Sequence, residues 1–359
     1  MSANPKTIGG AAFRFQATRR FQDQLNDELK PLLRQLQGLL ATAASSRTPD
    51  GTYVIPPSSE NRVLDEAGTL VQRFFVGSDL RHPYGSDGVT PLAPYPRILN
   101  QWLAWVTYKV VQTHTQYMKK RLPADIERWL NVRLSREQFN QNPLAGYEAP
   151  HTWIDPKGYR LSDRIWQTSI ETRRKIDALI ADGIRNGRSA IDMSKDLEAF
   201  LLPNRAGLKT DKPYGTKASF DAMRLGRSEI ARAHSYASLA AGRANPFVDG
   251  WEWAESLQHP KFDVCDKLAT IDSTGKRVRD PYPINGNCPV VVQDSHPQCI
   301  CVNYTSVSQK PADVIAQLRE QMEQGEPAPL TPIDTFDFVK LLIGSYLTSI
   351  IFREIAGQQ

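Results

Sequence analysis

The chain has 359 residues, which is enough for two or three domains because a single hydrophobic core rarely grows beyond roughly 250–300 residues. Hydrophobic residues make up 40% and charged residues 23% of the chain, and this composition argues against disorder of the whole protein. The net charge of +5 permits contact with DNA, but it is too small to identify a dedicated nucleic-acid-binding protein.

The first 150 residues predict a helical region with proline-rich arms. Residues 1–6 lack the apolar core of a secretory signal, so we expect synthesis in the cytoplasm. Apolar residues repeat at helical spacing between Phe21 and Leu40, and Pro31 within this stripe predicts a kink or two shorter helices. Residues 77–96 are rich in proline and predict an extended arm or a surface loop. Further helices are predicted over about 64–75, 99–117 and 123–134.

The middle of the chain predicts helices at 161–202 and 219–244. Asn186-Gly187 is typical of a helix end, and Ser189-Ala-Ile-Asp192 has the spacing of a capping box that opens the next helix. After residue 245 the period changes from helix to strand. Trp251 and Trp253 share one face of a predicted strand, and short strands are also predicted at 290–292 and 300–304.

The C-terminal part predicts two helices, at about 311–324 and 334–355. The most apolar stretch, residues 341–352, is shorter than the roughly 18–20 residues that cross a bilayer, so we expect a buried helix and no membrane contact. The predicted fold class is α+β and predominantly α-helical, with a multi-helix body, a small β-rich unit near 246–306 and C-terminal helices. The predicted domains are 1–150, 151–306 and 307–359.

The residue types that bind zinc are concentrated between 265 and 301. Zinc prefers four thiolate and imidazole ligands, and a small unit without a large core gains stability from such an ion. Up to four of five candidates are predicted to bind one structural zinc, with Asp263 or Asp266 as substitutes: Cys265, Cys288, His296, Cys299 and Cys301. No Cys-x-x-Cys pair is present, and this favours the alternative of buried free thiols beside a His-Pro turn.

The order of residues from 227 to 301 carries a family resemblance. A helix with Arg227, Arg232 and Gly242 precedes the Trp251-Glu-Trp253 strand, and cysteines and a His-Pro-x-Cys-x-Cys segment close the unit. This order resembles the phage Mu F-like head morphogenesis family, the minor head proteins of tailed phages, over about residues 160–305. The chain departs from the family where Phe262 replaces a frequent cysteine. It departs again where Ala233-His234 replaces a frequent Thr-Glu.

The resemblance implies a non-enzymatic virion component that lies inside the head near the portal vertex and acts in head assembly and in genome packaging or delivery. The implied partner is the portal protein, and further candidates are the major capsid or scaffolding protein and double-stranded phage DNA. The resemblance also implies that Arg227, Arg232, Trp251, Trp253 and His296 are structural residues of the motif. Arg232 is expected to pair with Glu252 or with an acidic residue near Asp263.

Two other functions are kept as alternatives. One is a zinc-stabilised DNA-binding module, and the other is an enzyme delivered with the genome. No phosphate-binding loop, nucleophile elbow or zinc-protease motif is present in the sequence. His259, Asp263, Asp266 and His296 form the remaining hydrolytic candidate, but such residues occur together easily by chance in a loop-rich segment. We therefore predict that the chain is not an enzyme.

Overall fold

The structure, a computed structural model, describes residues 6–8, 12–78, 82–85, 91–137, 150–202, 218–256, 262–297, 299–307 and 310–325. It is predominantly helical with two small antiparallel sheets, as the sequence predicts. The predicted helix at 334–355 and the candidate residue His259 lie outside the described residues. No helix in these ranges is long and apolar enough to span a bilayer.

The helices follow the predicted stripes closely. They are α1 (Ala12–Ala43), α2 (Glu60–Phe75), α3 (Pro94–Lys119), α4 (Ala124–Glu137), α5 (Leu161–Arg185), α6 (Ala190–Leu201), α7 (Ala218–Arg243), α8 (Val264–Leu268) and α9 (Pro311–Glu323). Helix α3 begins at Pro94, inside the predicted arm, because proline is well suited to the first helical position.

Of the two outcomes predicted at Pro31, a kink or two shorter helices, the second is wrong, because α1 continues through Pro31 as a single helix. Proline costs a helix one backbone donor and a steric clash with the preceding turn. Leu29 and Leu32 on either side of it are almost completely buried, as is Leu36. Because tertiary packing supplies most helix stability in proteins, these buried leucines explain why the helix continues.

The chain forms two compact units, each assembled from separate stretches of sequence. Unit 1 contains residues 1–18, 101–150 and 228–359, and unit 2 contains residues 19–100 and 151–227. The predicted contiguous segments 1–150 and 151–306 each contribute to both units.

Unit 2 is mainly helical and contains the two helices predicted on either side of Asn186-Gly187. Helix α2 packs along α5, and α5 packs against α6. Helix α5 ends before Gly187, whose φ of 63° is accessible to glycine at little cost. Ser189 then caps α6, because its hydroxyl accepts the amide of Asp192 at 3.0 Å. The predicted helix end at Asn186-Gly187 and the predicted cap at Ser189 are confirmed, and the Asp192 carboxylate accepts the Ser189 hydroxyl at 2.8 Å.

Unit 1 contains a four-stranded antiparallel sheet in the order β1-β6-β4-β5. Its strands are β1 (Lys6–Ile8), β4 (Gly250–Ala254), β5 (Tyr282–Pro283) and β6 (Val302–Val307), and a separate hairpin in unit 2 pairs β2 (Ser46–Arg47) with β3 (Tyr53–Val54). Trp251 lies opposite Thr305, and Trp253 lies opposite Asn303. The predicted strand at 290–292 is wrong, because these residues lead into and form a turn.

Polar side chains are buried beside this sheet. His114 of α3 is completely buried, with Nδ1 3.3 Å from the amide nitrogen of Asn245 and Nε2 3.4 Å from the hydroxyl of Thr305. The side-chain nitrogen of Asn245 can only donate, so Nδ1 of His114 accepts this hydrogen bond and the proton on Nε2 points to Thr305. Burial lowers the pKa of His114 to about 3, so the imidazole is neutral at physiological pH.

Candidate metal centre

Helix α8 positions the first thiol of the cluster. Asp263 caps this short helix, and its carboxylate accepts the backbone amide of Cys265 at 2.6 Å. Asp266 reaches back to the amide of Asp263 at 2.6 Å, which completes a reciprocal capping box. This local pairing fixes the first helical turn, where Cys265 is completely buried.

A tight turn brings His296 to the same place. Val292 has a φ of 74°, which is strained for a β-branched residue and reverses the chain direction. Side chains hold the backbone in this form: Asn303 accepts the amide of Val291 at 2.8 Å, and Ser295 accepts that of Val292 at 3.1 Å. The His296 imidazole then lies 3.3 Å from the Asp263 carboxylate, through Nε2.

Two of the three distances between the ligand atoms of the cluster are close to the edges of a tetrahedral metal site. The Cys265 Sγ lies 3.5 Å from Cys299 Sγ and 3.6 Å from His296 Nε2, and the ligand atoms of these three residues all lie within 4.8 Å of one another. Zinc–sulfur and zinc–nitrogen bonds of about 2.3 and 2.05 Å in a tetrahedron give S···S and S···N edges of roughly 3.8 and 3.6 Å. Cys265, His296 and Cys299 could therefore hold a metal ion.

Cys301 joins the same group of thiols. Cys299 and Cys301 are each 1% exposed and belong to the same apolar group as Cys265, but Cys301 is not among the ligand atoms that all lie within 4.8 Å of one another. A separation of two residues places side chains on one face of an extended chain. Cys301 is thus a candidate for a fourth ligand beside Cys265, His296 and Cys299, and three thiols with one imidazole are a common ligand set for structural zinc.

The pKa values of the Cys265 and Cys299 thiols are shifted in opposite directions. The contact with the Cys265 thiol is the main cause that holds the pKa of Cys299 well below its usual range, and the neighbouring Cys301 thiol adds to it. The contact with Cys299 is the main cause of the raised pKa of Cys265, and burial raises this pKa further. A lowered pKa favours the thiolate form of Cys299, and a thiolate is the form that binds metal.

Arg14, from the first turn of α1, supplies a positive charge to this group. Its two terminal nitrogens donate to the backbone carbonyls of Cys299 and Cys301, and the side chain is almost completely buried. The electrostatic attraction of Arg14 is one of the smaller causes of the lowered Cys299 pKa. Sequence reasoning missed this residue, because 285 positions separate it from Cys299 and no local pattern marks it.

Cys288 lies apart from the cluster, so its inclusion among the predicted ligands requires correction. Its Sγ lies 3.3 Å from the carbonyl of Pro283 and 3.5 Å from that of Ile284, in a separate apolar group with Trp251. Burial raises the pKa of this thiol. Cys288 is therefore a buried free thiol, as the alternative interpretation of the cysteines predicts.

The two tryptophans are core residues, as predicted. Both are completely buried, and Trp253 packs in the same apolar group as the three clustered cysteines. Trp251 packs with Cys288, and its indole nitrogen donates to the carbonyl of Pro289 at 2.8 Å. The strand that carries them thus contributes to the core around the thiols and to that around Cys288.

The expected partner of Arg232 is corrected by the structure. Arg232 pairs with Glu229 one helical turn earlier, and both are buried. The buried Glu252 pairs instead with Arg277, whose Nη2 lies 2.6 Å from its carboxylate, and accepts the Thr270 hydroxyl at 2.7 Å.

Arg227, five positions before Arg232, belongs to unit 2, and burial lowers the pKa of its guanidinium. Of the two predicted motif arginines, Arg232 alone falls in the unit that contains the sheet. Of the four residues of the hydrolytic candidate, Asp263 and Asp266 cap helix α8, and His259 lies outside the described residues.

Comparisons with known proteins identify no relative. The chain matches no protein-family model, no curated protein and no solved structure. The family resemblance therefore rests on the residues of the sequence itself, and the metal centre rests on its geometry.

Proposed function

We propose that the chain is a minor head protein of a tailed phage: a non-enzymatic component inside the virion that binds the portal protein and acts in head assembly and in genome packaging or delivery. The observation that supports the proposal is the ordered set of Trp251, Trp253, Cys265 and the His296-Pro-x-Cys-x-Cys segment. These residues fall in one compact unit, where the tryptophans and cysteines are buried. Burial suits an architectural role better than a catalytic one, which requires access to substrate.

We also propose that the centre binds structural zinc through Cys265, His296, Cys299 and Cys301. The S···S and S···N distances match the edges of a tetrahedral site, and the ligand set is of the closed structural type. Zinc supplies folding free energy to small units, because the unfolded chain has no preformed site. The ion would hold the turn at Val292 and helix α8 to the end of strand β6.

The virion assignment is tested by fractionating a lysate that contains assembled particles. We expect the chain to sediment with purified heads in few copies and to copurify with the portal protein when heads are dissociated. A chain that stays in the soluble fraction while complete particles sediment would overturn the proposal. DNA binding in place of portal binding, with an affinity that falls steeply as salt rises, would favour the DNA-binding alternative.

The zinc assignment is tested by two matched substitutions in the full chain. Cys265→Ser removes a thiol from the centre, whereas Cys288→Ser removes a similarly buried thiol that lies outside it. We expect zinc measured by elemental analysis to be lost in the first variant and retained at one ion per chain in the second. Equal zinc content in both variants would contradict the ligand set.

A further inference from the structure

We propose that Arg14 is the counter-charge and positioning residue of the metal centre, an inference that rests on the proposed zinc site. Arg14 lies in the first turn of α1 and is 6% exposed. Its guanidinium donates to the carbonyls of Cys299 and Cys301, two of the four proposed ligands. An N-terminal side chain thus holds the backbone of a ligand segment near the other end of the chain.

The charge of the loaded centre explains why a cation is needed there. Zinc bound by three thiolates and a neutral imidazole leaves one net negative charge, and the cysteines that carry it are almost completely buried. A buried charge without a partner is strongly unfavourable. The guanidinium of Arg14 is always protonated and neutralises that charge without competing for the metal, because it has no acceptor atom.

The geometry gives Arg14 a second effect, on ligand position. A guanidinium presents its donors in a rigid planar fork, so one side chain can fix two carbonyls at once. The bridged carbonyls flank Ile300 and belong to ligand residues, so the fork restrains the spacing of the Cys299 and Cys301 thiols. A lysine would keep the charge and lose the fork.

Arg243, an exposed arginine of the same unit, provides a control for the charge and the carbonyl hydrogen bonds. It also bridges two backbone carbonyls, with Nε 3.1 Å from the oxygen of Ile284 and Nη2 3.1 Å from that of Gly286. These carbonyls lie beside Cys288, outside the metal cluster. Replacing Arg243 therefore removes the same charge and the same kind of bonds without touching the centre.

The experiment is a zinc competition titration of the full chain and of Arg14→Gln, Arg14→Lys and Arg243→Gln. Partners that orient metal ligands change affinity by about 10–100-fold, and we expect that loss in Arg14→Gln, a smaller loss in Arg14→Lys and none in Arg243→Gln. Thiolate-to-cobalt absorbance at saturating Co²⁺ should remain in Arg14→Gln, which shows that its ligands still assemble.

Three outcomes would overturn the inference. If Arg14→Gln binds zinc as tightly as the unmodified chain, the proposed zinc site is unaffected and Arg14 has no role in it. Equal losses in Arg14→Gln and Arg243→Gln point to general destabilisation and also refute a specific role for Arg14. An unmodified chain that binds no zinc refutes the centre itself, and the inference with it.

Discussion

Gly242 and Gly38 are two helical glycines for which the structure predicts opposite effects of substitution by alanine. A Cβ at Gly242 of α7 would lie 2.5 Å from the methyl of Thr305 and 3.1 Å from Ile284. Ordinary carbon contacts are about 3.5–4.0 Å, so the nearest overlap is about 1 Å. Thr305 is completely buried in β6, so it has little room to move away. A Cβ at Gly38 of α1 meets nothing within 4 Å.

Overpacking of a core costs about 1–3 kcal/mol, and alanine recovers up to about 1 kcal/mol of helix propensity. We expect Gly242→Ala to lower the free energy of unfolding by about 1–2 kcal/mol on balance. Gly38→Ala should raise it by about 0.4–1 kcal/mol, because the unfolded chain loses freedom and the folded chain meets no clash.

Urea unfolding of the two variants, followed by tryptophan fluorescence and circular dichroism, measures both changes. The unmodified chain and the two variants must be compared at equal protein concentration and pH. If Gly242→Ala is as stable as Gly38→Ala, helix α7 does not lie as close to Thr305 and Ile284 as the structure indicates, and the reasoning is refuted.

The buried histidine and the two tryptophans give further predictions. Because the pKa of His114 is about 3 in the folded chain and its ordinary value is 6.5, the unfolded chain takes up the proton first as pH falls. The neutral His114 therefore contributes fully to the free energy of unfolding above about pH 6.5, and this contribution falls by about 2 kcal/mol between pH 7 and pH 5. In His114→Gln, this part of the decrease should be absent from the free energy of unfolding measured by urea across the same pH range. Trp251→Phe should lower the free energy of unfolding by about 1 kcal/mol more than Trp253→Phe in the same assay. The indole nitrogen of Trp251 donates a hydrogen bond to the carbonyl of Pro289, which the phenylalanine would leave without this donor, whereas the indole nitrogen of Trp253 has no such bond. Equal losses in the two tryptophan variants would contradict this difference.

The features that the sequence predicted correctly depend on neighbouring residues. Ser189 and Asp192 are three positions apart, and Gly187 lies two positions after the last residue of the helix that it ends, so their roles could be inferred from spacing alone. The paired tryptophans of β4 are likewise two positions apart, and period two predicted their shared strand.

The features that it missed depend on distant parts of the chain. Cys265 and His296 are 31 residues apart, and the turn between them contains Val292 in a strained conformation for which valine carries no sequence signal. Cys288 lies between them in sequence but packs in another apolar group. Arg14 reaches the centre from the N-terminal helix, and spacing rules do not predict a contact across most of the chain.

The identity of the atoms around the metal is the most direct test of the proposed centre. X-ray absorption at the zinc edge, measured on the full chain purified without chelator, should show three sulfur ligands at about 2.3 Å and one nitrogen at about 2.0–2.1 Å. A shell dominated by oxygen, or a purified chain that contains no zinc and titrates as free thiols, would contradict the Cys265, His296, Cys299 and Cys301 centre and the architectural role proposed for it.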